Sequence, residues 1–300
     1  MKQTVTGIEA VDTTGEANDP QGVPSSRSSH YLVRVRRGLI WSLLVLLALR
    51  YAFIWADSLA GASLPRIGSK GFTAIFAAFS ILHAADVLGW RRALLFLCSC
   101  VAVSFCFEAV GVATGSVYGA YHYSDALGLR VAGVPVLIPF AWFMMIYASW
   151  IVAHVLLDGA GNPTSLVGAL ARSLIAAAVM TAWDVVMDPG QARAGTWVWE
   201  AGGDYFGVPL RNFAGWMVTT LTVYLLVALI FSRIRSPEMP AASRLFVGIP
   251  IAAYSLVAID HFLISPFPEL HVVAAFGICL IALLALLRLT LVRSPIALPG

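Results

Sequence analysis

Charge is scarce in this chain. Asp, Glu, Lys and Arg supply 12% of its 300 residues, hydrophobic residues supply 59%, and the mean hydropathy is +0.83. Soluble domains carry about a quarter charged residues, so a soluble globular fold is excluded. The composition predicts an all-α, polytopic membrane bundle. The net charge of +3 is too small to argue for nucleic acid, and the cations gather at the ends of apolar runs rather than in a phosphate-binding stripe; no nucleic-acid partner is expected. Cysteine is scarce too. Cys98, Cys100, Cys106 and Cys279 lie within apolar runs, with no metal-like spacing beyond a weak Cys98-x-Cys100, and read as reduced structural residues. The histidines form no i,i+4 pair, which argues against a histidine-rich di-iron oxygenase and against a haem or metal role. Gly-rich phosphate loops, serine nucleophile elbows and zinc-protease histidine motifs are all missing.

What the chain does have is a series of long apolar runs. They fall near 38–56, 71–89, 92–113, 134–157, 165–187, 212–232, 244–264 and 271–291, about eight segments of membrane-spanning length. Residues 1–33 lack such a run and read as a disordered cytoplasmic tail, not a signal peptide; residues 34–300 read as one transmembrane domain. No internal repeat is apparent. Lys2, Arg27, Arg34, Arg36, Arg37, Arg91, Arg92, Arg172, Arg233, Arg235, Arg244, Arg288 and Arg293 fall on one side if the runs alternate, against Arg66, Lys70, Arg130, Arg193 and Arg211 on the other, with Arg50 inside a run. The basic excess predicts a multi-pass cell-membrane protein with both termini in the cytoplasm. It also places the loops 114–133 and 188–211 on the same outer side.

Those two loops adjoin the unusual residues. An ionised carboxylate in hydrocarbon is costly, so an intramembrane acid marks a functional site by default. Glu108 lies near the outer end of the third run, and Asp184 and Asp188 at the outer end of the fifth. A spacing of four sets the two aspartates on one helical face. Pro189-Gly190 is expected to end that helix directly after Asp188. The bland alternative is that these acids cap helix ends or pair with Arg193 or Arg211. Aromatic residues crowd the same stretches: Tyr118, Tyr121, Tyr123, Trp142, Trp183, Trp197, Trp199, Tyr205 and Trp216. An interfacial belt explains some of them, but ring faces also stabilise carbocations. Asn212 and Trp216 share a helix face and would present one donor and one ring to a common pocket. Trp197 and Trp199 are read as facing opposite ways on a short loop, with Trp199 toward the site. Gly111-x-x-x-Gly115 suggests close helix packing, and the Gly-Val-Pro steps at Gly133 and Gly207 mark turns. His83 and Asp86, one turn apart, are expected to form a buried pair, and Asp260 or His261 to find a neighbour.

The order of these motifs resembles the membrane carotenoid 1,2-hydratases of the carotenoid biosynthesis protein family. The resemblance rests on Glu108, Thr114-Gly115, Tyr118 to Tyr123, Gly133-Val-Pro135, Pro139 with Trp142, Asp184 to Pro189, Trp197-Val-Trp199, Tyr205-Phe-Gly-Val-Pro209, Asn212 and Gly215-Trp216. It extends over roughly residues 70–290 and is strongest from 108 to 216. It implies hydration of the terminal 1,2 double bond of an acyclic carotenoid end group, as in lycopene, γ-carotene or a bisanhydrobacterioruberin-like pigment. Such chemistry needs no cofactor and no metal. It needs a proton donor, for which Asp184 or Glu108 is the candidate, a base toward water, for which Asp188 or the other acid is, and a wall for the cation and its water. Tyr118, Tyr121, Tyr123, Trp142, Trp183, Trp197, Trp199, Tyr205, Asn212 and Trp216 are the candidates for that wall. The partners implied are the carotenoid in the bilayer and other enzymes of its pathway. Two rivals stand beside this reading. Asp184-x-x-x-Asp188 has the spacing for magnesium and diphosphate in a prenyltransferase, although a second acid cluster is missing. The other is a carotenoid-binding or transport protein; transporters often show repeat halves and broken helices in matching positions, and neither is evident in the sequence.

Overall fold

The computed structural model describes residues 26–158, 165–234, 242–292, 296 and 298. Residues 1–25, with Lys2, and the cations Arg235 and Arg293 lie outside the described residues. In lipid every backbone polar group must be satisfied internally, so apolar runs of this length become helices. They are α1 (Ser26–Ala60), α2 (Ser69–Leu88), α3 (Trp90–Thr114), α4 (Ile138–Leu156), α5 (Leu166–Arg193) and α6 (Leu210–Arg233). Then come α7 (Arg244–Val247), α8 (Ile249–Leu263), α9 (Pro268–Ala274) and α10 (Leu280–Leu291), with a π-helical turn joining the last two into one span. Among the described residues seven helices are long and apolar enough to cross a membrane; the protein is an all-α, multi-pass membrane bundle. Residues 26–33, assigned to the tail from sequence, form the start of α1.

One of the expected spans is interrupted. The run 244–264 is split at Gly248 into α7 and a shorter α8. A Cβ at Gly248 would stand 2.5 Å from the methyl carbons of Leu289, so the close approach of α10 takes the space a side chain would need. Almost wholly buried, α4 forms the axis of the bundle, packed by α2, α3, α5, α8 and α10.

At one end of the bundle basic side chains tie the helices together. Asp86 does not pair with His83. It lies between Arg36 (2.6 Å) and Arg37 (2.9 Å) of α1, while His83 bonds Tyr147 Oη and the Phe246 carbonyl, each at 2.8 Å. The reason is strength: a fully buried carboxylate is best compensated by guanidinium groups, and an imidazole cannot compete with two of them. Arg244 reaches Asp158 at 2.5 Å, and Arg92 donates to the Ile234 carbonyl at 2.8 Å. Asp260 does find a neighbour, accepting from Trp55 Nε1 at 2.9 Å.

The opposite end carries short strands. β1 (Tyr121–Tyr123) pairs antiparallel with β4 (Trp197–Trp199), in the register Tyr121 with Trp199 and Tyr123 with Trp197. The two loops, far apart in sequence, thus meet. β2 (Arg130–Val131) and β3 (Val134–Pro135) form a tight hairpin, and Tyr205 bridges Val208 in the same manner. The central residues of both turns have positive φ: Ala132 and Gly133 at 49° and 78°, Phe206 and Gly207 at 51° and 87°. That is the type I′ signature, which matches strand twist and favours glycine at the second position.

These turns expose an internal repeat that is hidden in the sequence. Helix, short strand, I′ turn, Val-Pro and helix occur twice, as α3–β1–α4 and as α5–β4–α6. Gly133-Val-Pro135 precedes Trp142 at the same spacing that Gly207-Val-Pro209 precedes Trp216. The two tryptophans stack face to face, with centroids 4.1 Å apart and planes at 26°.

Candidate functional site

The paired strands roof a cavity of about 130 Å³ bounded by α2, α3, α4, α5 and α6. Glu108, Asp188 and Asn212 line it together with Trp142, Trp216, Trp197 and Trp199. Tyr118, Tyr121 and Tyr123 complete the aromatic wall. Trp183 and Tyr205 stand away from it. The Trp183 ring packs against Phe76 and Tyr254 between α2, α5 and α8, and Tyr205 packs against Phe206 and Phe213. Asp184 is fully buried behind the wall rather than in it.

Glu108 sits six residues before the end of α3, and its carboxylate is held by three donors. Tyr121 Oη and Tyr123 Oη (2.7 Å) both donate to Oε2, and Trp142 Nε1 donates to Oε1 at 2.9 Å. Strand alternation puts Tyr121 and Tyr123 on one face of β1, which is why both reach the same oxygen. Burial, then the adjacent Glu108 charge, pushes both phenols well above the usual tyrosine range, so both remain donors.

The aspartates lie on one face of α5, one turn apart. Asn212 Nδ2 donates to both, to Asp184 Oδ2 at 3.0 Å and to Asp188 Oδ2 at 2.6 Å. Sharing that one nitrogen brings the two Oδ2 atoms close together. Their remaining Oδ1 atoms are buried without a partner. Neither capping nor pairing with arginine explains them. Arg193 instead donates to the Pro266 carbonyl at 2.9 Å and covers the Phe267 ring. That contact bears on a further departure from expectation: α5 does not stop at Asp188 but runs through Pro189 and Gly190 to Arg193. Proline removes one ladder bond, and the last turn is secured from outside by Arg193.

Two other expectations fail on geometry. Trp197 and Trp199 do not face opposite ways. They are two apart on a strand, where the side-chain period is two, and both border the cavity. Trp199 Nε1 donates to the Tyr118 carbonyl at 2.9 Å. Nor does Gly111-x-x-x-Gly115 join two helices. Gly115 (φ 67°) ends α3 in the left-handed conformation, with its N–H on the Gly111 carbonyl. Gly111 makes room for the Tyr118 ring, where a Cβ would come within 2.8 Å of Cδ2.

Sequence reasoning missed the contribution of α2, whose Phe72 and Thr73 line the cavity, and that of Met144, Met145 and Met187. Gln191, less than one turn beyond Asp188 on the same face, also lines it; its helical spacing is the one signal that was available. The four cysteines are free thiols.

Residues 70–284 match the family model described as carotenoid biosynthesis protein. Over 144 residues the chain is 33% identical to the bisanhydrobacterioruberin hydratase of Haloarcula japonica. That match covers 48% of this chain and 47% of the relative, so the chain spans about half the length of the curated relative it matches. No solved structure matches.

Proposed function

The chain belongs to the carotenoid biosynthesis protein family, and from that premise we propose that it hydrates the terminal 1,2 double bond of an acyclic carotenoid end group. The observation that carries this reading is one apolar, aromatic-walled cavity that holds Glu108 and Asp188 together, with Asp184 joined to them through Asn212. The named activity of the relative from Haloarcula japonica points to the same chemistry.

A trisubstituted alkene is a very weak base and accepts a proton only from an acid presented in a dry site. Protonation at carbon 2 leaves a tertiary cation at carbon 1. The faces of Trp142, Trp216, Trp197 and Trp199 offer that cation their π-density. Water adds at carbon 1, and loss of its proton to a carboxylate gives the tertiary alcohol. The acids supply and recover the proton, and the reaction uses no cofactor. In this reading the end group enters the cavity and the rest of the polyene lies in the bilayer. The basic end of the bundle faces the cytoplasm in this proposal, as do both termini.

A prenyltransferase would need Asp184 and Asp188 open to magnesium, whereas Asp184 is fully buried and both carboxylates share Asn212. Expression in a host that accumulates lycopene tests the proposal. Mass spectrometry of the pigments should show products heavier by one or two waters, insensitive to chelators. Pigment bound at unchanged mass would replace the hydratase with a carrier, and strict magnesium dependence would favour the prenyltransferase.

A further inference from the structure

The acids of the cavity come from different halves of the repeat and are built differently. Glu108, in the first half, accepts three hydrogen bonds from groups that serve as donors. An ionised carboxylate fits that setting, because it accepts from all three groups at once. Asp184 and Asp188, in the second half, share a single amide donor, and each keeps one oxygen buried without a partner. Two buried carboxyl groups crowded onto one amide donor cannot both carry charge, so a proton stays with the pair. Asp188 is 1% exposed and borders the cavity, so a proton held by the pair has an open path to the cavity through that residue.

The two steps of hydration make unequal demands. Protonating the alkene is difficult and needs an acid with its proton free to leave. Taking a proton from the oxonium ion formed when water meets a tertiary cation is easy, and even a heavily hydrogen-bonded carboxylate does it.

Resting on the hydratase reading above, we propose a division of labour: the Asp184–Asp188 pair is the proton donor, delivering through Asp188, and Glu108 is the base toward water. In the first step the Asp188 O–H bond breaks and its proton bonds carbon 2 through the alkene's π pair, leaving the aspartate pair anionic. In the second a water lone pair bonds carbon 1 and the surplus water proton passes to Glu108. The proton returns from Glu108 to the aspartate pair through water entering the cavity before the next turnover, so the protein ends as it began. Asn212 is the positioning residue that holds both aspartates in register.

The division predicts that protonation and water capture can be separated. The full chain in membranes is given lycopene in D₂O, and both the hydroxylated product and the recovered lycopene are weighed. In Glu108→Gln the aspartate pair still deuterates carbon 2. The uncaptured cation then returns a proton from that carbon to Asp188, so recovered lycopene gains deuterium. Hydration should fall about 10²–10⁴-fold while exchange into lycopene persists. In Asp188→Asn both hydration and exchange should be lost. Glu108→Asp keeps the charge and should restore part of the hydration, with a ratio of exchange to hydration above that of the native protein; it carries the test should the glutamine variant fail to accumulate. Native hydration combined with no exchange in Glu108→Gln and an unchanged ratio in Glu108→Asp overturns the division alone. A native protein that neither hydrates nor exchanges lycopene overturns the hydratase reading, and the division with it.

Discussion

Trp142 and Trp216 stack with their ring centroids 4.1 Å apart, and each occupies the same place in its copy of a Gly-Val-Pro-to-helix unit. The pair therefore sits where the two halves of the repeat meet. Trp142 is further fixed by its bond to Glu108, which leaves Trp216 as the ring whose face can be tested without unseating an acid.

Replacing Trp216 separates bulk from π-density. Trp216→Phe and Trp216→Leu both keep an apolar side chain, and loss of packing alone predicts similar damage. A ring face near a developing cation contributes about 0.5–2 kcal/mol, up to roughly a thirtyfold difference in rate. The Phe variant should therefore hydrate the faster at matched protein level. Since Trp197 and Trp199 share a strand face, the same ranking is expected at both of those positions rather than at one. Equal rates for Phe and Leu at all three sites would leave the cation without an aromatic stabiliser.

Asn212 donates to both aspartates. Asn212→Leu leaves two more carboxyl oxygens in a buried site without a partner, at a cost of about 1–3 kcal/mol each. The variant should melt at lower temperature and lose hydration. Asn212→Gln keeps the amide but displaces it by one methylene, and should recover stability before it recovers rate. Thermal unfolding in detergent alongside pigment analysis would check both. Unaltered hydration by the Leu variant would sever Asn212 from the site.

Much of this was legible in the sequence because hydrocarbon is so selective a solvent. A span of apolar residues has few options but helix, and a carboxylate within one stands out. Glu108, Asp184 and Asp188 were visible for that reason. The repeat was not, because what its copies retain is a glycine, a valine, a proline and a tryptophan that set backbone shape, while the chemistry around them diverged: Asn212 stands where the first copy has Ile138. The partners of Asp86 were hidden because spacing along α2 describes only α2, and the competing guanidinium groups arrive from α1. Pro189 misled for a similar reason. Its local penalty is real, but the turn beyond it is held by Pro266 and Phe267, far away in sequence.

The orientation of the bundle gives a prediction of its own. β1 and β4 are paired, so exposed residues beside them must lie on one side of the membrane, and the orientation proposed above makes that side the exterior. In a background without the native cysteines, His122→Cys and Glu200→Cys should react with a membrane-impermeant maleimide in intact cells. Arg91→Cys, at the basic end, should react only after permeabilisation. Opposite accessibility of positions 122 and 200 would contradict the strand pairing itself, and a uniform reversal would invert the termini.

The tightest packing in the site surrounds Tyr118. Its ring lies between two glycines from different halves of the repeat: a Cβ on Gly111 would reach 2.8 Å from Cδ2, and one on Gly215 would reach 2.6 Å from Cδ1. Its hydroxyl is fixed by Thr219 Oγ1 at 2.8 Å, and its carbonyl receives Trp199 Nε1. The ring cannot retreat from one added methyl without meeting the opposite backbone. At Gly215 a methyl would also press on the Val117 carbonyl at 2.7 Å, which has no rotamer to escape into. Overpacking of this kind costs about 1–3 kcal/mol. Gly215→Ala should therefore destabilise more than Gly111→Ala, since only the former strikes backbone. Combining Gly111→Ala with Tyr118→Leu, which removes the ring edge, should return most of the stability but not the hydration. The same double change at Gly215 should return less, because the Val117 carbonyl is still in the way. Unfolding temperatures of the single and double variants decide it: equal rescue at both glycines would mean that the ring alone, and not the backbone beneath it, sets the clearance.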